Sequence, residues 1–519
     1  MALTGINPAG RTAGDWREIF FAQGESGGVS ASRDVLIYGN KTSAGSETVD
    51  TISTPILHDA DAVARFGARS EWYLLYRKYV EVDPSAKIYG CAVTESGGTA
   101  ATKTVTFANG AASDTTTCTI EFIGESTSFT VTKGDTAITQ AANFATAFNA
   151  ANSSRWPATA AAGNSPNDHI VTITTSEKGP RSDYFLTGLR CTYAKSVTTT
   201  ATVSAVSSGT TADDFTTAYA AAALGEYYYQ VNPSYTGSAP TSTDNYVGEG
   251  LLTVITNGAL PLSGKGQQMF FGLICAQATA TTIATDSDAN HVRAKFYRSK
   301  NSDWTPGMLA AYNAAVQRLE ETKHPAASLT GYRNDSARSR KFSIPAPFAR
   351  SDWPTATEIE ADLANGVVPI CFDTAGNAYL NRSITSYSER SSGVKDYRAS
   401  EGHIPSVMDF TWALIKQRWL ETKQPFVAND PVQGQKPSPG VSYPSSLRTL
   451  VWKVIDDLTG PNPLGQYTGP ILAPDKIQQM KDSVVVTKVA GGLTCSANFF
   501  AVEHLNKSEW TLNETSPAY

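Results

Sequence analysis

The sequence predicts a multidomain α/β protein with a β-rich insertion and an α+β C-terminal part. Three observations predict it. The chain has 519 residues, too many for one ordinary domain. Short, continuously apolar strands alternate with amphipathic helices on both sides of a middle block, as in sheets covered on both faces. In that block, between Gly97-Gly98 and Ser208-Gly209, Thr, Ala and Ser dominate and strand-like pieces predominate.

Residues 1–24 hold Pro/Gly turns and little apolar content and are expected to be an extended arm. Residues 25–96 form the first part of the α/β core. Asp34-Val-Leu-Ile-Tyr-Gly has the pattern of a strand buried on both faces. Helices are predicted over 59–66 and 71–82, broken by Gly67, and a strand over 86–93. The inserted β-rich domain spans 97–211, with strands predicted at 104–107, 117–123, 128–132, 170–174 and 184–190. One helix, 135–151, carries Ile138, Ala142, Ala145 and Phe148 at helical spacing, and the valines of 196–207 allow a returning strand.

The α/β pattern resumes over 212–380, with a helix at 212–224 and strands at 226–231 and 268–275. Thr305 is the expected N-cap of a helix begun by Pro306, with Met308, Leu309, Tyr312, Ala315, Val316 and Leu319 as its buried stripe. A helix over 356–365 ends at Gly366 and leads into an apolar strand, 367–372. The C-terminal domain, 381–506, opens with Arg382-Ser-Ile-Thr-Ser-Tyr-Ser, whose β-branched and aromatic content favours a strand before the Gly393 turn. A long helix follows from about Pro405, where Ser406 and Asp409 have capping-box spacing and Ile404, Val407, Met408, Ile415 and Trp419 share a face. After a Pro/Gly-rich loop, 430–443, come a helix over 445–458, a short helix over 474–481, and strands over 484–490 and 493–502 around a Gly491-Gly492 turn. Residues 507–519 are expected to be a second arm.

Composition narrows the function. A hydrophobic fraction of 41% describes a chain that can bury cores, whereas the charged fraction of 17% is below the usual level of about 25%. A net charge of -6 without a Lys/Arg cluster gives no electrostatic case for nucleic acid or an anionic membrane. Arg11, Asp15, Arg17 and Glu18 interrupt any signal-peptide core, which predicts a protein retained in the cytoplasm where it is made. The six cysteines are scattered, form no C-x-x-C pair, and are expected to be isolated small core residues.

Candidate chemistry has a plainer explanation in each case. Gly24-Glu25-Ser26-Gly27-Gly28 satisfies G-x-S-x-G, yet a nucleophile elbow needs a strand before the serine and a helix after it; a polar arm precedes Ser26 and a strand follows, so a loop is expected. The stretch Gly258 to Gly266 is similar to a phosphate loop but has the wrong glycine spacing and Gly266 where Ser or Thr is required. Asp286, Asp288 and Asn290 begin like a calcium loop, but His291 replaces the turn glycine and Tyr297 the bidentate glutamate. His324 beside Pro325 fits a helix end, and Trp72, Tyr73, Tyr76 and Tyr79 fit a core. No catalytic residue, cofactor or metal is expected.

The run Arg382, Ile384, Thr385, Tyr387, then Gly393, Asp396 and Tyr397, resembles the start of the C-terminal domain of contractile-phage tail sheath proteins, where R-x-I-T-x-Y leads through G-x-x-D-Y into a long helix. Three further stretches are similar to that family, particularly its Mu-like branch. They are Asp34-Val-Leu-Ile-Tyr-Gly with Asp61-Ala-Val-Ala-Arg-Phe-Gly-Ala-Arg-Ser, then Gly134-Asp-Thr-Ala with Ala147-Phe-Asn-Ala and Val171-Thr-Ile-Thr-Thr, and last Gly366-Val-Val-Pro-Ile. Phe426-Val-Ala-Asn-Asp430 departs from the family's basic stretch after the long helix.

The resemblance implies a subtilisin-like, non-catalytic α/β core, a protruding inserted domain and a tube-proximal C-terminal domain. It also implies hexameric rings stacked helically around a tail tube in a virion assembled in the host cytoplasm, with contraction driving the tube through the host envelope. The implied partners are copies of the same chain, the tube protein, and baseplate and tail terminator proteins; strand addition is a compatible physical mechanism for the self-contact, with the arms 1–24 and 507–519 as candidate donors and the hairpin at 484–502 as candidate receiving sheet. Lys476 and Lys481 are the candidate tube-facing residues, with a solvated lysine face as the alternative. Alternatives from other classes are a serine hydrolase using Ser26 and an adhesin whose Thr-rich insertion binds a receptor.

Overall fold

The computed structural model, which describes residues 33–502 apart from 96, 109, 151–154, 223–226, 234–266, 286–290, 337–339, 389–400, 424–425, 434 and 490–491, brings strands from both sides of the Thr-rich block into one eight-stranded sheet. The strand β1 (Val35–Asn40) is buried throughout, and α1 (Asp59–Phe66) and α2 (Glu71–Val80) connect it to β2 (Ile88–Val93). Local chemistry sets the helix starts. The His58 ring accepts the Asp61 N–H and the Ser70 hydroxyl accepts the Tyr73 N–H, each a side-chain cap on the first turn. Gly67, at φ 91°, supplies the left-handed backbone that separates the two helices.

The block between builds two small antiparallel sheets from β3 (Ala100–Ala108), β4 (Thr116–Phe122), β5 (Glu125–Val131), β6 (Ala158–Ala162), β7 (Ile170–Lys178), β8 (Arg190–Tyr193) and β9 (Thr200–Val203). Their orders are β6-β7-β3-β9 and β5-β4-β8. The helix α3 (Ala137–Asn149) packs Phe144 and Phe148 beneath them. Two expectations fail here. Tyr184–Arg190 is not a strand: Asp183–Thr187 forms the short helix α4, and pairing begins only at Arg190. The strand β6 was not expected, because its Ala-Thr-Ala-Ala-Ala sequence has little intrinsic β preference and is drawn in by pairing with β7. The turn joining β4 to β5 holds Ile123 at φ 49° and Gly124 at φ 76°, the signs of a type I′ hairpin, and it abuts Trp304 of the core.

The chain returns through α5 (Thr216–Ala222), β10 (Tyr229–Asn232), β11 (Gln268–Leu273), α6 (Gln277–Ala284), β12 (Ala294–Arg298), α7 (Pro306–Lys323), β13 (Tyr332–Arg333), α8 (Ala356–Ala364), β14 (Val367–Phe372) and β15 (Ala378–Leu380). The large sheet runs β13-β15-β14-β12-β11-β10-β1-β2, parallel from β14 to β2 and antiparallel at β15 and β13. Alternation along β1 divides the core. Val35 and Ile37 join one apolar cluster with α2 and α7, while Leu36 and Tyr38 join another with α5 and α6. Thr305 caps α7 as expected, but its burial goes well beyond one stripe and takes in Asn313, Gln317, Glu320 and Glu321. Close approach explains this: a Cβ on Gly272 would lie 1.9 Å from the Pro306 carbonyl oxygen, so α7 sits where only glycine leaves room on β11.

The C-terminal part has its own core. It comprises α9 (Ile404–Thr422), the short pair β16 (Phe426–Val427) and β17 (Val441–Ser442), α10 (Pro444–Thr459), α11 (Ile477–Asp482), and the hairpin β18 (Val485–Val489) with β19 (Gly492–Ser496). Val407, Leu414, Val451, Ile455, Met480 and Val486 meet there, each fully buried aliphatic side chain contributing roughly 1.5–3 kcal/mol. The expected strand at Arg382 does not enter a sheet. Its pairing among the described residues is the single bridge of Ile384 with Glu401, and the Ser386 N–H donates to the Ala294 carbonyl. Gly393, Asp396 and Tyr397 lie outside the described residues.

Candidate functional site

A doubly wound sheet offers one recurrent ligand position, the crevice beyond the carboxyl ends of its strands where the order reverses. Here the reversal lies between β1 and β10, because the chain steps from β1 to β2 on one side and then to β10 on the other. A polar network fills the position beyond β1. Asn40, the last residue of β1, donates its backbone N–H to the Glu71 carboxylate at 3.2 Å and its side-chain amide to Asp213 at 3.0 Å. Arg181, on a single 3-10 turn after β7, donates to Glu71 at 2.7 and 3.0 Å and to Asp213 at 2.5 Å, with its guanidinium 4.9 Å from the Phe215 ring centroid. Glu177 accepts the Glu71 N–H at 2.8 Å.

Glu177 and Arg181 of the inserted block, with Asp213 just after it, therefore occupy the crevice with their own side chains. Burial and the nearby Glu71 push the Glu177 carboxyl well above the usual range, and burial also raises Glu71 against the pull of Arg181. Burial opposes the charge on Arg181, yet Glu71 and Asp213 outweigh it and hold the guanidinium above its ordinary value. A second buried pair, Arg298 with Asp362 at 2.6 Å, ties β12 to α8. The arrangement locks the inserted block to the core; it presents no nucleophile with a base.

The other candidates fall elsewhere. Ser26, the glycines at 258–266 and the acidic loop 286–290 lie outside the described residues, as do the expected arms 1–24 and 507–519. His324 is the C-cap residue of α7, and Trp72, Tyr73 and Tyr79 are buried, Trp72 stacking on Phe66 with centroids 3.7 Å apart. Among the described residues there is no group of three or more His, Cys, Asp or Glu placed to hold a metal, and no helix long and apolar enough to cross a membrane.

Ser406 and Asp409 do not cap α9. His403 is its N-cap, Ser406 accepts from Gln268 at 2.7 Å, and Asp409 binds Arg293 at 2.6 and 2.7 Å and Tyr228 at 2.9 Å. These residues join the C-terminal part to the core at the N-terminal ends of β10, β11 and β12. Tertiary partners decided the matter, because S-x-x-D spacing is the same whether its oxygens face their own backbone or a neighbour.

Lys476 and Lys481 lie on one short segment, a 3-10 turn at Pro474–Lys476 continuing into α11. Lys476 pairs with its neighbour Asp475 at 3.2 Å, and Lys481 with Asp456 of α10 at 2.6 Å. The adjacent hairpin differs from expectation in its turn: Gly492 pairs with Val489 as the first residue of β19. Among the described residues neither outer edge of β18 or β19 has a ladder partner, and Val485 and Val489 are exposed on β18.

No family model matches this chain, and no curated relative does. Among solved structures the chain is similar to a sheath tail protein of Desulfitobacterium hafniense, at 12% identity over 93% of this chain and 100% of that one, with a TM-score of 0.45. It is similar to a sheath tail protein of Listeria innocua at 10% identity, over 92% and 96%, with a TM-score of 0.40. A chain of the anti-feeding prophage baseplate is similar at 11% identity, over 97% and 99%, with a TM-score of 0.47.

Proposed function

We propose that this chain is the structural subunit of a contractile tail sheath, with no catalytic role. The observation that carries this reading is the β18–β19 hairpin. It is a two-stranded sheet docked on α10 with both outer edges unpaired among the described residues. Such an edge either invites uncontrolled association or is used for strand addition from another chain. Segments 1–24 and 507–519 are the proposed donors. Head-to-tail addition of this kind does not close on itself and generates helical stacks, here of hexameric rings around a tube. Two points support the rest of the reading: the sheath-like motifs at Asp34, Asp61, Gly134, Gly366 and Arg382, and a crevice filled by Arg181 and its carboxylates.

In this reading the eight-stranded sheet belongs to the subtilisin-like core, the block 97–211 protrudes, and 381–506 faces the tube, with Lys476 and Lys481 contacting it. Contraction moves folded subunits as rigid bodies between two packings while the added strands keep them connected. Baseplate and tail terminator proteins bound the stack at its ends. Deleting 507–519 or 1–24 tests the strand addition. Sedimentation and electron microscopy are expected to show folded subunits that no longer polymerise, and unchanged polymerisation of both truncations contradicts the reading.

A further inference from the structure

Two of the six cysteines are not isolated, contrary to expectation. Cys118 of β4 and Cys191 of β8 bring their sulfurs to 3.0 Å, inside the roughly 3.5–4.0 Å separation of unbonded heavy atoms. Their placement follows from the ladder. Cys118 faces Tyr193 and Ile120 faces Cys191, so the two cysteines sit on one face of the sheet, two residues out of register and diagonal to each other. A disulfide needs its sulfurs about 2.05 Å apart, a closure of about one ångström that side-chain rotation can supply. No third ligand completes a metal-holding group with them among the described residues, and two thiolates alone do not enclose zinc.

We propose that Cys118 and Cys191 are a redox pair that closes to a disulfide when the chain meets a low-molecular-weight disulfide oxidant. Cys191 is partly exposed and Cys118 fully buried, which fixes the order of events. The Cys191 thiolate attacks one sulfur of the oxidant, expels the first small thiolate and carries the other half as a mixed disulfide. Cys118, losing its proton to the departing thiolate, attacks the Cys191 sulfur and expels the second small thiol. Two cysteine thiols are oxidised and one small disulfide is reduced to two thiols. The hydrogen bond shared with the diagonal Cys191, with burial, holds the Cys118 thiol well above its ordinary pKa, so the second step is the slow one. Once formed, the bond staples β8, an edge strand of only four residues, to the central β4.

The bond does not depend on the proposed assembly role; only its timing does, since a particle leaving a reducing cytoplasm would close it in an oxidising medium. The test uses the purified full chain, treated with oxidised glutathione, denatured, alkylated and analysed by intact mass and peptide mapping. The expected result is the loss of two of six alkylatable thiols, a crosslinked peptide pair holding Cys118 and Cys191, and full alkylation of Cys91, Cys275, Cys371 and Cys495. In Cys191→Ser the loss disappears, and in Cys118→Ala Cys191 stops at the glutathione adduct. All six thiols remaining alkylatable, or wild-type Cys191 stopping at that adduct, overturns the proposal, whether or not the chain forms tubes.

Discussion

Arg181 illustrates how much rests on single buried charges. It is 7% exposed and neutralises Glu71 and Asp213, which are 5% and 1% exposed. Arg181→Ala strands two carboxylates beside a third, Glu177, and is expected to cost about 3–5 kcal/mol, read by urea unfolding. A change below about 0.5 kcal/mol would show that the network is relieved by solvent and does not lock the insertion. Asp362 makes a second prediction. Burial lifts its carboxyl to about 6, against the pull of Arg298. This folded value exceeds the unfolded value of about 3.9, so the folded state holds the proton longer. The stability the group contributes is therefore fully present below about pH 4 and is lost as pH rises through about 6. Unfolding free energies of wild type and Asp362→Asn, compared between pH 4 and 7, should differ in slope over that interval and run parallel above it. Parallel profiles throughout would contradict the assignment.

At the scale of elements, helix α9 is held to the core by side chains that look like a cap in sequence. Asp409→Ala leaves Arg293, only 12% exposed, without its bidentate partner, and an unfolding loss of roughly 3–5 kcal/mol is expected. Gly272→Ala forces β11 and α7 apart at a backbone contact and should cost about 1–3 kcal/mol or more, where an open site would gain stability. Signals that act within one turn of the chain are legible in the sequence. Thr305-Pro306 starts α7, Asp59–Phe66 is a helix, and Val367–Phe372 is a strand, all as read, because caps, proline and apolar runs act locally. Features set by distant partners are not. In sequence alone Ser406 and Asp409 have the spacing of a cap, the aromatic Tyr184–Arg190 the composition of a strand, and Cys118 and Cys191 no visible partner. Arg181 carried no sign beyond following a Gly-Pro turn, since its carboxylates lie 110 residues before it and 32 after it.

At the scale of the whole molecule, the inserted block is bound to the core at several points. Arg77 pairs with Glu125 at 2.8 Å, Arg190 with Asp303 at 2.6 Å, and the Ile123-Gly124 turn meets Trp304. Core and insertion are thus suited to move as one body, which the proposed contraction requires. If 381–506 faces a tube through Lys476 and Lys481, the double change Lys476→Glu, Lys481→Glu should weaken tube binding in a salt-sensitive way while leaving the fold intact. Equal binding at low salt would remove these lysines from the interface. The claim that the chain builds a helical sheath is tested most directly by electron microscopy of the purified full chain, alone and co-produced with a tube protein. The account predicts hollow, transversely striated tubes in at least the second preparation. Discrete monomeric particles in both would contradict it.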